Sequence, residues 1–545
     1  MKTKKLCDLI QPLQERHHDY LKDESRTSGK AETISFPENE KQVQAIVKTL
    51  LEQKKPITVQ GSRTGIVGGA VPVCGHILNL SKMTRVTGLE LDQEGKFLIR
   101  VQPGMCLSEL DQQLYKKDFY CDGWDKDSLK ALEAFKKSPR QFWPPDPSEK
   151  SASIGGIAAN NSRGICALYY GPASLHIKSI RVVDANGEIH SIARDQYVFS
   201  QGVCPLPGGN EIQVGQTNLQ RESSDNLMDM YDLLDLYLGS EGMLGVITEL
   251  TLSLQALPGE LWGIVFFFKA QSRAVKFIQA VDPRKNRQEK QKQNSRQQKP
   301  QKQKTAPDTA IVAIEFMDQT TLECIREYKK GNSQLTQLPD WDNCLTSAVY
   351  MEIHGKSPEA VEALSEILLE TAVQCDCDPD NTWAFCGEVE IERVRIFRHA
   401  AAESVNLLID KARLKDSRIT KLGTDYRLQN SRLSEMLEMY RQDIQALGLK
   451  AAIFGHAADG HLHVNILPQD YQQFEKGRTL IKGWAAKIYE QEGSIVTEHG
   501  IGKIKKNLFG SIPLPRHLQK IRSVKKQIDP DGLWNPGNMP DSDLQ

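Results

Sequence analysis

Residues 143–164 read WPPDPSEKSASIGGIAANNSRG, and the fold is decided here. Pro144, Pro145 and Pro147 restrict φ and make a rigid entry. Ser151, Ser153, Gly155 and Gly156 then crowd small side chains into a turn, and a short Ala/Asn stretch follows. Bare glycines let backbone N–H groups approach an anion closely, so a turn of this kind can cradle a phosphate. Two further stretches repeat the chemistry. Pro56 to Pro72, PITVQGSRTGIVGGAVP, places Gly61, Gly65, Gly68 and Gly69 directly after a predicted strand, with the Ser62 and Thr64 hydroxyls in reach. Leu238 to Ile247, LGSEGMLGVI, is a third glycine-rich turn before a β-branched strand. None spells GxGxxG or GxxxxGK[ST], which argues against nicotinamide and P-loop sites. A single such loop can be a tight surface turn; three are harder to explain that way.

Around these turns the pattern mixes helix and strand. FPENEKQVQAIVKTLLEQKK, from Phe36, puts Val43, Ile46, Val47, Leu50 and Leu51 on one helical stripe, and Pro56 to Val59 runs extended after it. Ile180 to Ile192 is two β-branched runs around Ala185, Asn186 and Gly187, a hairpin signal. Further on, Glu359 to Val373 and Leu433 to Ile444 have helical periodicity, and Ala451 to Phe454 and Leu462 to Ile466 read as strands. Between Lys285 and Lys304 no apolar residue occurs, so that basic run is expected to stay a disordered, solvated insertion.

In order and spacing, the three turns resemble the PCMH-type FAD-binding domain of FAD-linked oxidases related to vanillyl-alcohol oxidase and p-cresol methylhydroxylase. The resemblance runs from about Ala31 to Leu257. It implies FAD, its diphosphate and ribityl wrapped by the first two turns; no His or Cys stands at a position that matches an anchoring one, so the flavin is expected to be non-covalent. It assigns cofactor contacts to Gly61, Ser62, Arg63, Thr64, Gly65, Gly68, Gly69, Asp146, Ser153, Gly155, Gly156, Asn160, Gly242, Ile247 and Asn535. Ser62-Arg63 departs from a pattern that usually has smaller residues there.

The second half carries a different chemistry. Phe454 to Ile466, FGHAADGHLHVNI, is a strand, a turn and a returning strand, and period-two alternation puts His461, His463 and Asn465 on one face. The turn can bring His456 alongside. Neutral imidazoles so arranged suit a divalent ion, and Glu498 in SIVTEHGIG offers a carboxylate. HAxDGxLHxN and EHGIGxxK resemble the C-terminal half of the D-lactate dehydrogenase, glycolate oxidase large-subunit and D-2-hydroxyglutarate dehydrogenase group. The resemblance implies metal ligation by His456, His463 and Glu498 (Zn, Mn or Fe), substrate contact by Asn465, and His499 as base. His461 stands where the group usually has Asn, leaving it as an extra ligand, a substrate contact or a replacement. Ile396-Phe397-Arg398, before an Ala-rich helix, resembles a WxxR segment and makes Arg398 the carboxylate clamp. KLGTDYRLQNSRL resembles a KxxxDxxxPxxxL segment, with Gln429 in place of Pro, which implies Lys421 as a pocket residue. DPDGLWNPGNM resembles a tail that returns to the flavin domain and brings Asn535 near the isoalloxazine.

The implied fold is α+β: two α+β subdomains for FAD, then a ferredoxin-like cap with an antiparallel sheet. Boundaries follow as a helical extension over 1–30, the FAD domain over 31–257, the cap over 258–500 with its insertion at 285–304, and a returning segment over 501–545. At 545 residues there is room for both, a domain taking roughly 100 to 200. Lys+Arg 69 against Asp+Glu 70 provides no global pull toward nucleic acid. A mean hydropathy of -0.46 and the lack of an apolar run of about 18 residues argue against a spanning helix. The start breaks into charge before a signal core could form, so a cytoplasmic protein is expected, free or peripheral to the inner face of the membrane. The 11 Cys are scattered and read as reduced thiols, with no iron-sulfur spacing.

The expected activity is FAD-dependent, metal-assisted dehydrogenation of a D-2-hydroxy acid, of the D-lactate, glycolate or D-2-hydroxyglutarate class, to the 2-oxo acid. Electrons would leave to a separate quinone, cytochrome, electron-transfer protein or iron-sulfur protein, and a homodimer is left open. Two alternatives stand beside it. One is a metal-independent FAD alcohol or sugar oxidase, the other a flavin-free metal-binding or assembly protein.

Overall fold

Val43, Ile46, Val47 and Leu50 fall on one stripe and all four are fully buried, which makes Glu40–Glu52 a helix; Asn39 caps it by accepting from the Gln42 amide at 3.1 Å. In the computed structural model, which describes residues 9–215, 231–284, 308–510 and 512–538, that helix leads into strand Ile57–Gln60 and the first glycine-rich loop. The basic run 285–304 lies outside the described residues.

The chain divides into two units: Met1–Gly164, Gly171–Leu257 and Glu498–Gln545 form the first, Ile165–Tyr170 and Pro258–Thr497 the second. Among the described residues the first holds a four-stranded and a five-stranded sheet, beside two two-stranded ones. In the four-stranded sheet, His76–Asn79 runs parallel to both Thr33–Ser35 and Ile57–Gln60, while Gln11–Pro12 adds an antiparallel edge. Residues 9–30 therefore contribute a strand as well as the 3-10 helix Glu15–Leu21. The five-stranded sheet is antiparallel, in the order Val86–Leu91, Phe97–Val101, Gly245–Ser253, Ile177–Asp184, Ile189–Ala193. The last two strands are the hairpin that Asn186-Gly187 announces. Residues 498–538 return to this unit, where Trp534 pairs in parallel with Ile57.

The second unit is built on an antiparallel sheet in the order Thr382–Cys386, Glu260–Phe268, Ser347–Gly355, Thr309–Met317, Ala451–His456, His461–Ile466, Leu422–Gly423; Tyr426–Arg427 also pairs with His461–Ile466. Helices include Gln271–Val281, Gln319–Lys329, Pro358–Gln374, Glu388–Lys415, Leu433–Ala446 and Tyr471–Glu490. Arg398 does not precede a helix, as its segment suggested. It lies inside Glu388–Lys415, a 28-residue helix rich in Ala, Leu, Glu and Arg with no Gly or Pro to stop it. Among the described residues no helix is long and apolar enough to cross a membrane.

Candidate active site

Antiparallel register decides which side chains in the second unit meet. Phe454 pairs with His463 across the hairpin, and Glu315 pairs with His456 on one side and with Tyr350 on the other. Because alternate residues share a face, His456, His461, His463 and Asn465 point the same way as Glu315 and Tyr350. The imidazole centroids are 4.6 Å apart for His461 and His463, 5.5 Å for His456 and His461, and 6.0 Å for His456 and His463. The face that alternation predicts from the sequence is the one observed.

Each ring is fixed through one nitrogen. His456 Nδ1 meets Glu315 Oε1 at 2.5 Å, His461 Nε2 meets Asp425 Oδ1 at 2.9 Å, and His463 Nδ1 meets the Thr424 carbonyl at 3.1 Å. All three partners are acceptors, so those nitrogens carry the proton and the opposite nitrogen of each ring carries the lone pair. Asn465 is almost fully buried, and among the described residues its Nδ2 has no hydrogen-bond partner. A buried donor left unsatisfied costs roughly 1–3 kcal/mol unless something binds it.

Glu315 carries this arrangement and sequence reading missed it. It is buried, yet it holds both His456 and the Arg398 Nε, the latter at 3.1 Å. Burial pushes its carboxyl upward, but the neighbouring His456 and Arg398 outweigh that and bring it down to about 2. One helical turn earlier, Arg395 makes the same approach to Glu352, which also receives Tyr350 and His354. The signal was available: a lone carboxylate within TAIVAIEFM is a buried charge that must find partners. Lys421 is exposed and donates to Asn406 Oδ1 of the long helix at 3.0 Å.

In the first unit the glycine-rich turns meet. Ser153 caps helix Ile154–Asn160 by accepting from the Gly156 amide at 3.3 Å, and its Oγ also accepts from the Ser62 amide at 3.4 Å. A Cβ on Gly61 would lie 2.0 Å from that oxygen, and one on Gly155 would lie 2.5 Å from Pro103 Cβ, so the cradle requires both glycines. Arg63 occupies the left-handed region at φ 63, where glycine is usual. Its guanidinium lies 4.2 Å over the Tyr20 ring and donates to the Asp19 carbonyl. Asp146 pairs with Lys150, and Ile247 is buried within the central strand Gly245–Ser253. Thr64, Gly65, Gly68 and Gly69 lie in the loop after Ile57–Gln60, and Gly242 in the third turn.

The tail locks these turns together. Asn535 Oδ1 accepts from the Val59 amide at 2.7 Å, and its Nδ2 donates to the Glu241 carbonyl at 2.5 Å. Its amide therefore serves the loops. Glu241 in turn accepts from the Ile501 and Gly502 amides, Lys503 Nζ donates to the Gly68 and Gly69 carbonyls, and Asn160 Nδ2 donates to the Glu498 carbonyl at 2.8 Å. His499 Nε2 lies 3.2 Å from Glu498 Oε1. Glu241 is a letter of the third turn, LGSEGMLGVI, but the sequence does not say what it holds.

Two family models match the chain: an FAD binding domain over residues 31–122 and 128–193, and the C-terminal domain of FAD linked oxidases over residues 303–539. The chain carries an FAD-binding domain and the C-terminal domain of FAD-linked oxidases. It is 26% identical over 537 residues to a D-lactate dehydrogenase of Anaerostipes hadrus, covering 96% of this chain and 93% of that one. The glycolate oxidase subunit GlcD of Bacillus subtilis is 24% identical over 516 residues (93% and 88%), and the mitochondrial D-2-hydroxyglutarate dehydrogenase of Rattus norvegicus 24% over 512 (93% and 78%). Among solved structures, an alkyldihydroxyacetonephosphate synthase superposes with a TM-score of 0.58 at 16% identity, over 98% of this chain and 83% of the other. That likeness speaks for the fold alone. As an FAD-linked oxidoreductase, the chain needs a flavin cradle, which the first unit supplies, and a substrate-binding face.

Proposed function

We propose that the protein oxidises a small D-2-hydroxy acid, of the lactate, glycolate or 2-hydroxyglutarate class named by its relatives, to the 2-oxo acid. One observation carries the reading: three imidazoles, each fixed through one nitrogen, share a sheet face with the unsatisfied donor of Asn465. Such a donor set fits a divalent ion, Zn²⁺, Mn²⁺ or Fe²⁺. His456, His463 and Glu498 would hold it. Chain connectivity favours Glu498, because the Thr497 amide just before it donates to Asp425, the carboxylate that also meets His461. A divalent ion bound there supplies positive charge that lowers the pKa of a substrate hydroxyl. FAD, when bound by the glycine turns, supplies the acceptor for the α-hydrogen as hydride.

The side chains divide the remaining work. His499 takes the hydroxyl proton, an exchange suited to imidazole near neutral pH and typically contributing roughly 10²–10⁴-fold. Glu498, beside it, steadies the imidazolium that forms. Asn465 donates to a substrate oxygen. Arg398 keeps Nε on Glu315 and offers its Nη edge to the substrate carboxylate, and Lys421 borders the pocket. Electrons leave to a separate quinone, cytochrome, electron-transfer protein or iron-sulfur protein. We place this activity in the cytoplasm or at the inner membrane face.

The test is a screen of D- and L-2-hydroxy acids with an artificial acceptor, on the full chain carrying flavin and metal. D-acid turnover should vanish with EDTA and return with Zn²⁺ or Mn²⁺, and His463→Ala should abolish it. No turnover of any D-acid would remove the substrate reading. Turnover indifferent to EDTA would leave a metal-independent alcohol or sugar oxidase.

A further inference from the structure

His461 departs from the pattern of its group, and the structure gives it a setting unlike that of a passive replacement. It stands across the hairpin from His456 and two residues before His463, on their face. It is 1% exposed, and its ring centroid is the nearest of the three pairs, 4.6 Å from that of His463. One ligand-capable nitrogen from each of the three rings lies within 4.8 Å of the others. Ligands of a tetrahedral zinc, at roughly 2.0–2.1 Å from the ion, sit about 3.4 Å apart, so a small inward shift would let one ion reach all three.

The hydrogen bond to Asp425 sets which nitrogen of His461 would turn toward such an ion. Nε2 is engaged by Asp425 Oδ1 at 2.9 Å, so Nδ1 carries the lone pair. Asp425 is fully buried and is itself fixed, since its Oδ2 accepts from the Thr497 amide at 3.1 Å. A buried carboxylate that holds a ligating imidazole by its far nitrogen sets the ring's orientation and raises its basicity. His456 has the same arrangement with Glu315.

We propose that His461 is a third imidazole ligand, positioned by Asp425, and that it biases the ion toward Zn²⁺, Co²⁺ or Ni²⁺ over Mn²⁺. The proposal rests on the metal reading above. Three nitrogens and one carboxylate form a set suited to zinc-like ions, whereas manganese favours carboxylate, carbonyl and water oxygens. Replacing the usual Asn with His adds a nitrogen donor and so moves the preference in that direction.

X-ray absorption of the flavin-loaded, zinc-loaded full chain counts imidazoles without any substitution. Three are expected; two would overturn this inference and leave the metal reading standing. A wild-type chain that takes up no divalent ion would overturn the metal reading itself. In parallel, His461→Asn and Asp425→Asn are titrated with Zn²⁺, Co²⁺ and Mn²⁺, flavin absorbance reporting that the fold is kept. We expect Zn²⁺ affinity to fall on the order of 100-fold for His461→Asn and about 10-fold for Asp425→Asn, with a changed Co²⁺ visible spectrum and a smaller loss for Mn²⁺. Unchanged Zn²⁺ affinity and Co²⁺ spectrum in both variants would overturn the proposal. If His461→Asn loses its flavin, the wild-type imidazole count and Asp425→Asn decide.

Discussion

Glu315→Gln is the substitution whose consequences the geometry specifies most fully. Glu315 is 2% exposed and divides its two oxygens between His456 and Arg398, itself buried to 11% side-chain exposure. An isosteric amide keeps the volume but removes the charge, and its NH₂ end must face one of two donors. Arg398 then stays in the interior without its counter-charge. Removing one partner of a buried pair costs roughly 3–5 kcal/mol, and losing the group that orients a ligating His typically costs about 10–100-fold in metal affinity. The loss should be local to the second unit, where Glu315 joins the strands Thr309–Met317 and Ala451–His456. Amide exchange resolves this: peptides from those two strands should exchange roughly 100-fold faster, the equivalent of about 3 kcal/mol. Flavin content should be unchanged. Adding Arg398→Gln should recover part of the stability, since the stranded cation is then gone. Exchange within threefold of the parent, together with unaltered metal affinity, would refute the argument that Glu315 anchors the site.

Two further expectations concern the flavin unit. Gly61→Ala places a methyl 2.0 Å from Ser153 Oγ, an overpacking that should cost about 1–3 kcal/mol and lower the flavin-to-protein absorbance ratio; Ser153→Gly in the same chain should restore most of it, and a flavin content equal to the parent's in Gly61→Ala alone would contradict the cradle. His76 is fully buried beside Thr33, and burial, with a smaller push from Lys55, lowers its imidazole from 6.5 to about 3. The unfolded chain therefore binds a proton below pH 6.5 that the folded chain refuses until about pH 3, so stability is full above 6.5 and drains away as pH falls through that window. At about 1.4 kcal/mol per unit the loss reaches about 2 kcal/mol at pH 5, and His76→Asn should flatten the acid side of a melting-temperature profile; equal slopes in parent and variant would count against it.

Much of the molecule was legible because its information is local. The stripe of Val43, Ile46, Val47 and Leu50 sets a helix face, Asn186-Gly187 sets a hairpin, and alternation along His461–Ile466 puts His461, His463 and Asn465 together. The glycine turns were readable for the same reason, since a missing Cβ leaves its mark in the sequence itself. The membership of Ile165–Tyr170 in the second unit was not, because a six-residue segment leaving its neighbours has no periodic signature.

What the sequence determined by itself is the inventory: a flavin cradle of three turns and a hairpin of imidazoles, each specified by residues within one or two turns of chain. What only the tertiary structure decided is who holds them. Glu315 meets His456 across 141 positions, and Asn535 meets Val59 across 476. Strand periodicity fixes the face a side chain takes but not the neighbour it meets there. That neighbour is chosen by sheet order and register, which the whole core settles at once.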